Sequence, residues 1–309
     1  MARIWVAALA TILGIGSAAA ALAGDAEDCT KAVLTKTPKR AVAACRRLAE
    51  HGVVSAQTKL GYIYARGEGV PQDFNEAAKW SRKAAEQGNA IAQTILGNLY
   101  RDGKGVPRDN KEAANWYRKA AEQGIAAAQT DLGAAYDEGE GVPQDYKSAA
   151  AWFRKAADKG DALAQYNLGN MYRLGLGVSQ DSQEAMNWFR KAADQGNASA
   201  ENNLGSIYFN GQGVPRDYKE GVKWYRKAAD HDYGPAQLNL GLAYANGNGV
   251  SQDLVQAHMW LSLATAALSP GQDHDSAVRN RDLAASNMTS AQIEESQRLA
   301  REWKPTLSQ

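Results

Sequence analysis

The chain has 309 residues, enough for two ordinary domains, yet it carries 29 glycines against only 8 prolines. Its 35 basic and 34 acidic side chains nearly cancel, which argues against nucleic acid as the main partner. The glycines recur at fixed intervals, so periodicity governs the reading of the chain.

The N-terminus has a basic residue, Arg3, and an uncharged apolar run from Ile4 to Gly16. Small residues follow at Ala21-Leu22-Ala23, before Gly24. This layout predicts a secretory signal peptide over residues 1–23 and a periplasmic or secreted protein. The rival reading is an uncleaved anchor, because Ile4 to Ala23 is uncharged throughout. Cys29 and Cys45 are the only cysteines, and an oxidising compartment permits them to pair and staple the first helical pair. Two free cysteines are the alternative.

From residue 53 a 36-residue period takes over. Leu-Gly-x-x-Tyr recurs with Gly61, Gly97, Gly133, Gly169, Gly205 and Gly241, and the same step carries Trp80, Trp116, Trp152, Trp188, Trp224 and Trp260. Each unit reads as helix A, a glycine loop and helix B. Ala56, Leu60, Ile63 and Tyr64 form a helical stripe, and Gly67-Glu68-Gly69-Val70-Pro71 ends it. Asp73 stands as the N-cap of helix B, with Glu76 spaced for a capping box. Asp109/Glu112, Asp181/Glu184, Asp217/Glu220 and Asp253/Gln256 repeat the pattern. Ala77, Trp80, Ser81, Ala84 and Ala85 share one face of helix B. A glycine inside helix A costs about 1 kcal/mol against alanine. Its sixfold recurrence predicts a close approach of a neighbouring helix.

The string Ala-Gln-x-x-Leu-Gly-x-x-Tyr, then Gly-x-Gly-Val-Pro-x-Asp, then Ala-x-x-Trp-x-x-Lys-Ala-Ala-x-x-Gly resembles the Sel-one-like repeat family, relatives of tetratricopeptide repeats. The resemblance covers residues 53–268 in six units. Ser179 and Ser251 depart from the loop proline, Glu201 from glutamine, and Gly221 from the helix B alanine. It implies an all-α fold, a right-handed α/α superhelical solenoid of antiparallel helix pairs that holds peptides on its concave helix A face.

Residues 24–52 read as a degenerate capping pair, and 269–309 as capping helices over Ser276–Met288 and Ala291–Trp303. The last repeat needs such a cover, because Met259, Leu261, Leu263, Ala264 and Leu268 make its outer helix apolar.

Function is expected where repeats differ. Opposite the constant stripe of helix A lies the 59, 62, 66 series, basic in the first repeat, acidic in the next two and asparagine-rich afterwards. Tyr62, Arg66, Asn98, Asn167, Asn170, Asn203 and Asn239 are its candidate partner-binding residues. Asparagine amides donate and accept at once, which suits the backbone of an extended protein segment. The plain alternative is a soluble polar filler. The Arg-Lys pairs at 82–83, 118–119, 154–155, 190–191 and 226–227 sit near helix C-termini with an acid following, the pattern of a solvated helix surface.

His51, His231, His258 and His274 lack metal-ligand spacing, and no phosphate-loop or Gly-x-Ser-x-Gly pattern occurs. The expectation is a noncatalytic scaffold or regulator of the cell envelope, without cofactor and touching the membrane only through a partner. By resemblance to exported relatives, a sensor kinase or a polysaccharide-assembly component is a plausible partner class. The rival is β-lactam binding or hydrolysis, as linked to cysteine-rich family members. Those members carry a cysteine pair in most repeats, whereas this chain has only two cysteines.

Overall fold

A computed structural model describes residues 25, 26, 29 and 38–306, and all regular structure among them is helical. Residues 1–23, the expected signal peptide, lie outside the described residues. After α1 (Pro38–Glu50), each repeat contributes a pair: α2 (Val54–Arg66) with α3 (Phe74–Glu86), α4 (Ala90–Asp102) with α5 (Asn110–Glu122), then α6 (Ala126–Glu138) followed by α7 (Tyr146–Ala157). The series continues with α8 (Ala162–Leu174) and α9 (Ser182–Ala193), α10 (Ala198–Asn210) and α11 (Tyr218–Asp230), α12 (Gly234–Asn246) and α13 (Leu254–Ala267). Two further helices follow, α14 (Gln272–Ser286) and α15 (Ser290–Glu302). α1–α6 belong to one compact unit ending at Asp145, and α7–α15 to a second beginning at Tyr146. Within each unit a helix packs on the ones before and after it as far as α14, as in an α-solenoid, and α15 packs back on α13.

The helix A glycine is where the two helices of a pair meet. A Cβ on Gly97 would lie 2.5 Å from Cε1 of Tyr117, and one on Gly169 would lie 2.7 Å from Cδ1 of Phe189. A helix B side chain likewise stands where a Cβ would be at Gly61, Gly205 and Gly241, from Ser81, Tyr225 and Leu261, which accounts for the glycine at these five positions. In the loop, Gly103 takes φ 66° and its N–H bonds the Leu99 carbonyl, closing α4 in a left-handed cap. Gly105 does something else. A Cβ there would overlap the Phe74 carbonyl at the start of α3, so this glycine lets one repeat's loop sit on the helix B of the repeat before.

The helix B caps form only in part as the sequence suggests. Asp109 accepts from the backbone N–H groups of Lys111 and Glu112, both at 3.0 Å. The reciprocal arm of the box is absent, for a physical reason: the Asp109 N–H already donates to the Tyr100 carbonyl at 2.9 Å. The same bond joins Asp73 to Tyr64, Asp181 to Tyr172, Asp217 to Tyr208 and Asp253 to Tyr244. Glu76 turns instead to the Trp80 indole N–H, at 2.9 Å, and to Lys79. The complete box is the one on α15, between Thr289 and Gln292.

Cys29 and Cys45 are joined in a disulfide, with Cα atoms 4.7 Å apart, and both are buried in the cluster that packs α1 on α2 and α3. At the other end α14 and α15 lie on α13. Leu261 and Ala264 pack with Ala277, while Trp260 meets Trp303 edge to face at 5.9 Å.

Candidate functional site

Two polar ladders hold the repeats in register. A buried helix A glutamine donates to the last turn of the preceding helix B: Gln57 to Ala49 O, Gln93 to Ala85 O, Gln129 to Ala121 O and Gln165 to Ala157 O, at 3.0 to 3.2 Å. Its carbonyl then accepts from the glutamine 30 residues later, Gln57 from Gln87, Gln93 from Gln123 and Gln165 from Gln195. In the bridges of Gln57, Gln93 and Gln165 both ends of the amide are partnered, which avoids the ~1–3 kcal/mol cost of an orphaned polar group, whereas the buried Gln129 Oε1 accepts no hydrogen bond among the described residues. The fifth repeat breaks the pattern with Glu201 and His231. Glu201 Oε2 lies 3.1 Å from His231 Nδ1, close enough for an ion pair but not aligned as a hydrogen bond. Burial holds the Glu201 carboxyl above its usual range, partly offset by His231.

The second ladder corrects the reading of the Arg-Lys pairs as mere solvated surface. Each arginine donates to the tyrosine hydroxyl of the next helix A, Arg82 to Tyr100 at 2.7 Å, Arg118 to Tyr136 at 3.0 Å and Arg190 to Tyr208 at 2.7 Å. Arg46–Tyr64, Arg154–Tyr172 and Arg226–Tyr244 do the same. Arg154, Arg190 and Arg226 also stack on the next repeat's tryptophan. The lysine lies over its own repeat's tryptophan, as Lys191 does over Trp188 at 3.8 Å. The arginines are therefore joints between repeats, and the lysines pack within their own.

The 59, 62, 66 series of helix A takes no part in either ladder. Its first two positions are half-buried and its third is exposed in every repeat. In the first unit Tyr62, Arg66 and Asn98 come together around one cavity. In the second, the asparagines bond to one another along the stack. Asn203 Nδ2 donates to Asn170 Oδ1 at 3.3 Å, and Asn239 Nδ2 donates to Asn202 Oδ1 at 2.9 Å. Arg173 also donates to Asn170 Oδ1, at 3.1 Å. Asn167 makes no side-chain hydrogen bond among the described residues. Asn203 and Asn239 thus each spend a donor on a neighbouring asparagine, while their carbonyl oxygens keep their accepting capacity.

A cavity of about 300 Å³ opens beside Asn239, bounded by Ser206, Phe209, Tyr225, Leu242 and Asn246, with no charged side chain in its wall. Sequence reasoning missed Asn202 and Tyr225. Asn202 stands one position outside the chosen series, and Tyr225 belongs to helix B, where its ring covers Gly205 and its hydroxyl lies 3.2 Å from Ser206 Oγ. Only pairing of helix A with helix B brings Tyr225 to this face.

The family model of the Sel1 repeat matches residues 54–89, 90–125, 126–161, 162–197, 198–233 and 234–267. Among solved structures, a Sel1 repeat protein from Oxalobacter formigenes is 34% identical, with TM-score 0.69, over 85% of this chain and 75% of that one. A protective antigen of uropathogenic Escherichia coli with this type of repeat fold is 26% identical, with TM-score 0.41, over 96% and 93% of the two chains. An immunity protein from Pseudomonas aeruginosa is 22% identical, with TM-score 0.45, over 72% and 83%. No curated protein matches the chain.

Proposed function

The chain belongs to the Sel1 repeat family, whose members generally serve as noncatalytic scaffolds for protein partners, and from that premise we propose a scaffold of the cell envelope that holds an extended protein segment on the helix A face of repeats four to six. The observation that carries this reading is the linked row Asn170–Asn203 and Asn202–Asn239, with the accepting oxygens of Asn203 and Asn239 uncommitted. An extended backbone offers N–H donors at regular spacing, and amides held by their neighbours meet them with little ordering cost. The uncharged cavity beside Asn239 is suited to an apolar side chain of the same segment. The envelope assignment rests on the leader composition of residues 1–23.

The test is an affinity pull-down from envelope extract with the protein and with a variant carrying alanine at Asn167, Asn170, Asn203 and Asn239. A partner retained by the first and lost by the second supports the scaffold and its face. Equal recovery by both removes the asparagine face as the site.

A further inference from the structure

In the first unit the helix A faces of repeats one and two, with the start of α3, border an open cavity of about 230 Å³, with Phe74, Ile95 and Leu99 as apolar wall and Tyr62, Arg66 and Asn98 as its polar members. This volume is below the ~300–1,000 Å³ of pockets that engulf a whole small ligand. It suits a single residue.

The charges decide which residue. Lys104 and Asp102 also line the cavity, but they neutralise each other at 3.1 Å, and Arg101 adds a second bond to Asp102 at 3.0 Å. Although burial pushes the Asp102 carboxyl up, those two donors hold it below its ordinary range. Asn98 Oδ1 accepts from the Tyr117 hydroxyl at 2.7 Å, which orients the amide and leaves Nδ2 as its uncommitted atom. The Arg66 guanidinium stacks on Tyr62 at 5.0 Å and meets no carboxylate among the described residues. The cavity therefore offers an unneutralised guanidinium and an amide donor above an apolar wall. That is the complement of a carboxylate beside an apolar group, and guanidinium is the cation best shaped to take a carboxylate two-pronged.

An internal aspartate or glutamate carries its carboxylate at the end of the side chain that would have to fill the apolar wall. A C-terminal residue carries carboxylate and side chain on one Cα. We propose that this cavity binds the C-terminal residue of a protein partner, its α-carboxylate on Arg66 and Asn98 and its apolar side chain against Phe74, Ile95 and Leu99. The inference rests on the reading of helix A faces as the binding surface, but it uses a different compact unit from the asparagine row.

The experiment is a titration of the isotopically labelled protein, followed by nuclear magnetic resonance, with N-acetyl-Ala-Ala-Leu as the free acid. The C-terminal amide of the same peptide and N-acetyl-Ala-Ala-Glu amide serve as comparisons. The expected result is saturable shifts at Tyr62, Arg66 and Asn98 with the free acid, at least tenfold weaker binding of both amides, and at least tenfold weaker binding of the acid by Arg66→Gln. Arg66 is solvent-exposed, so that variant should unfold at the wild-type temperature. Equal affinity for acid and amide, tighter binding of the glutamate peptide, an unaffected Arg66→Gln or no saturable shift at millimolar peptide would each overturn the proposal. Alanine at the four asparagines should leave this titration unchanged, so failure here and failure of the asparagine face are separate results.

Discussion

At the residue scale, the glycines show how a rule of local propensity is overruled. Gly97 weakens an isolated helix by about 1 kcal/mol relative to alanine, yet the Tyr117 ring occupies the place of its Cβ. Gly97→Ala therefore sets that propensity gain against overpacking of ~1–3 kcal/mol, and the buried ring has little room to move. Gly105→Ala should cost more. Its φ is 70°, and its Cβ would meet the Phe74 carbonyl, backbone that cannot rotate aside as a ring can. The expected order of thermal unfolding midpoints is wild type, then Gly97→Ala, then Gly105→Ala. A Gly97→Ala midpoint at or above wild type would show that the ring does yield. The close approach at helix A was legible in the sequence because six glycines recur where helix propensity disfavours them. The use of the second loop glycine against the previous repeat was not, since a local loop also needs glycine there. The Arg-Lys pairs misled for a related reason. Their tyrosine partners lie 18 residues away, and neighbouring acids supply an adequate local explanation.

At the element scale, the joints between helices are polar, and the fifth repeat carries an altered one. In repeats one, two and four a glutamine takes one carbonyl and gives its own oxygen to a second glutamine. Glu201, when ionised, has no proton to give the corresponding carbonyl of Ala193. It is buried, 3% exposed, and it faces His231, Lys227 and Asp230. Because burial raises its pKa above the unfolded value, its contribution to stability is fully present below the unfolded pKa. That contribution is lost as pH rises through the folded pKa. Glu201→Gln restores the donor and removes the titration. The variant should therefore melt above wild type at pH 7, with the difference shrinking toward pH 4. A difference that is constant across that range would mean that the carboxyl does not titrate in the fold. The helix pairs and their caps could be read from the sequence, and so could the departure at Glu201. Its meaning could not, because the bond it interrupts joins side chains 30 residues apart.

At the scale of the whole molecule, a solenoid must finish its ends, because the last repeat presents the face on which another would stack. Here α14 and α15 cover α13, and beyond α15 the Thr306 N–H reaches the Asp230 carbonyl at 2.6 Å. At the centre of this cover His258 Nδ1 and Ser296 Oγ stand 2.7 Å apart, and Ser296 Oγ is also 2.8 Å from the Ile293 carbonyl. One proton arrangement serves both bonds: the imidazole donates from Nδ1 to the hydroxyl, which donates to the carbonyl. Burial holds the His258 pKa below its ordinary value, and Arg281 acts in the same direction against the opposing Asp282. A depressed folded pKa makes this contribution complete above the unfolded value of ~6.5 and loses it as pH falls through the folded one. Acidification should therefore loosen the cover at the end of the stack, opposite in sign to the change at Glu201. His258→Gln keeps an amide donor for Ser296 without the titration, so between pH 7.5 and pH 5.5 the wild-type melting temperature should fall further than that of the variant. Parallel falls in the two proteins would place the acid sensitivity elsewhere. Removal of residues 269–309 exposes the same apolar face at every pH, and the shortened protein should self-associate, as read by its sedimentation.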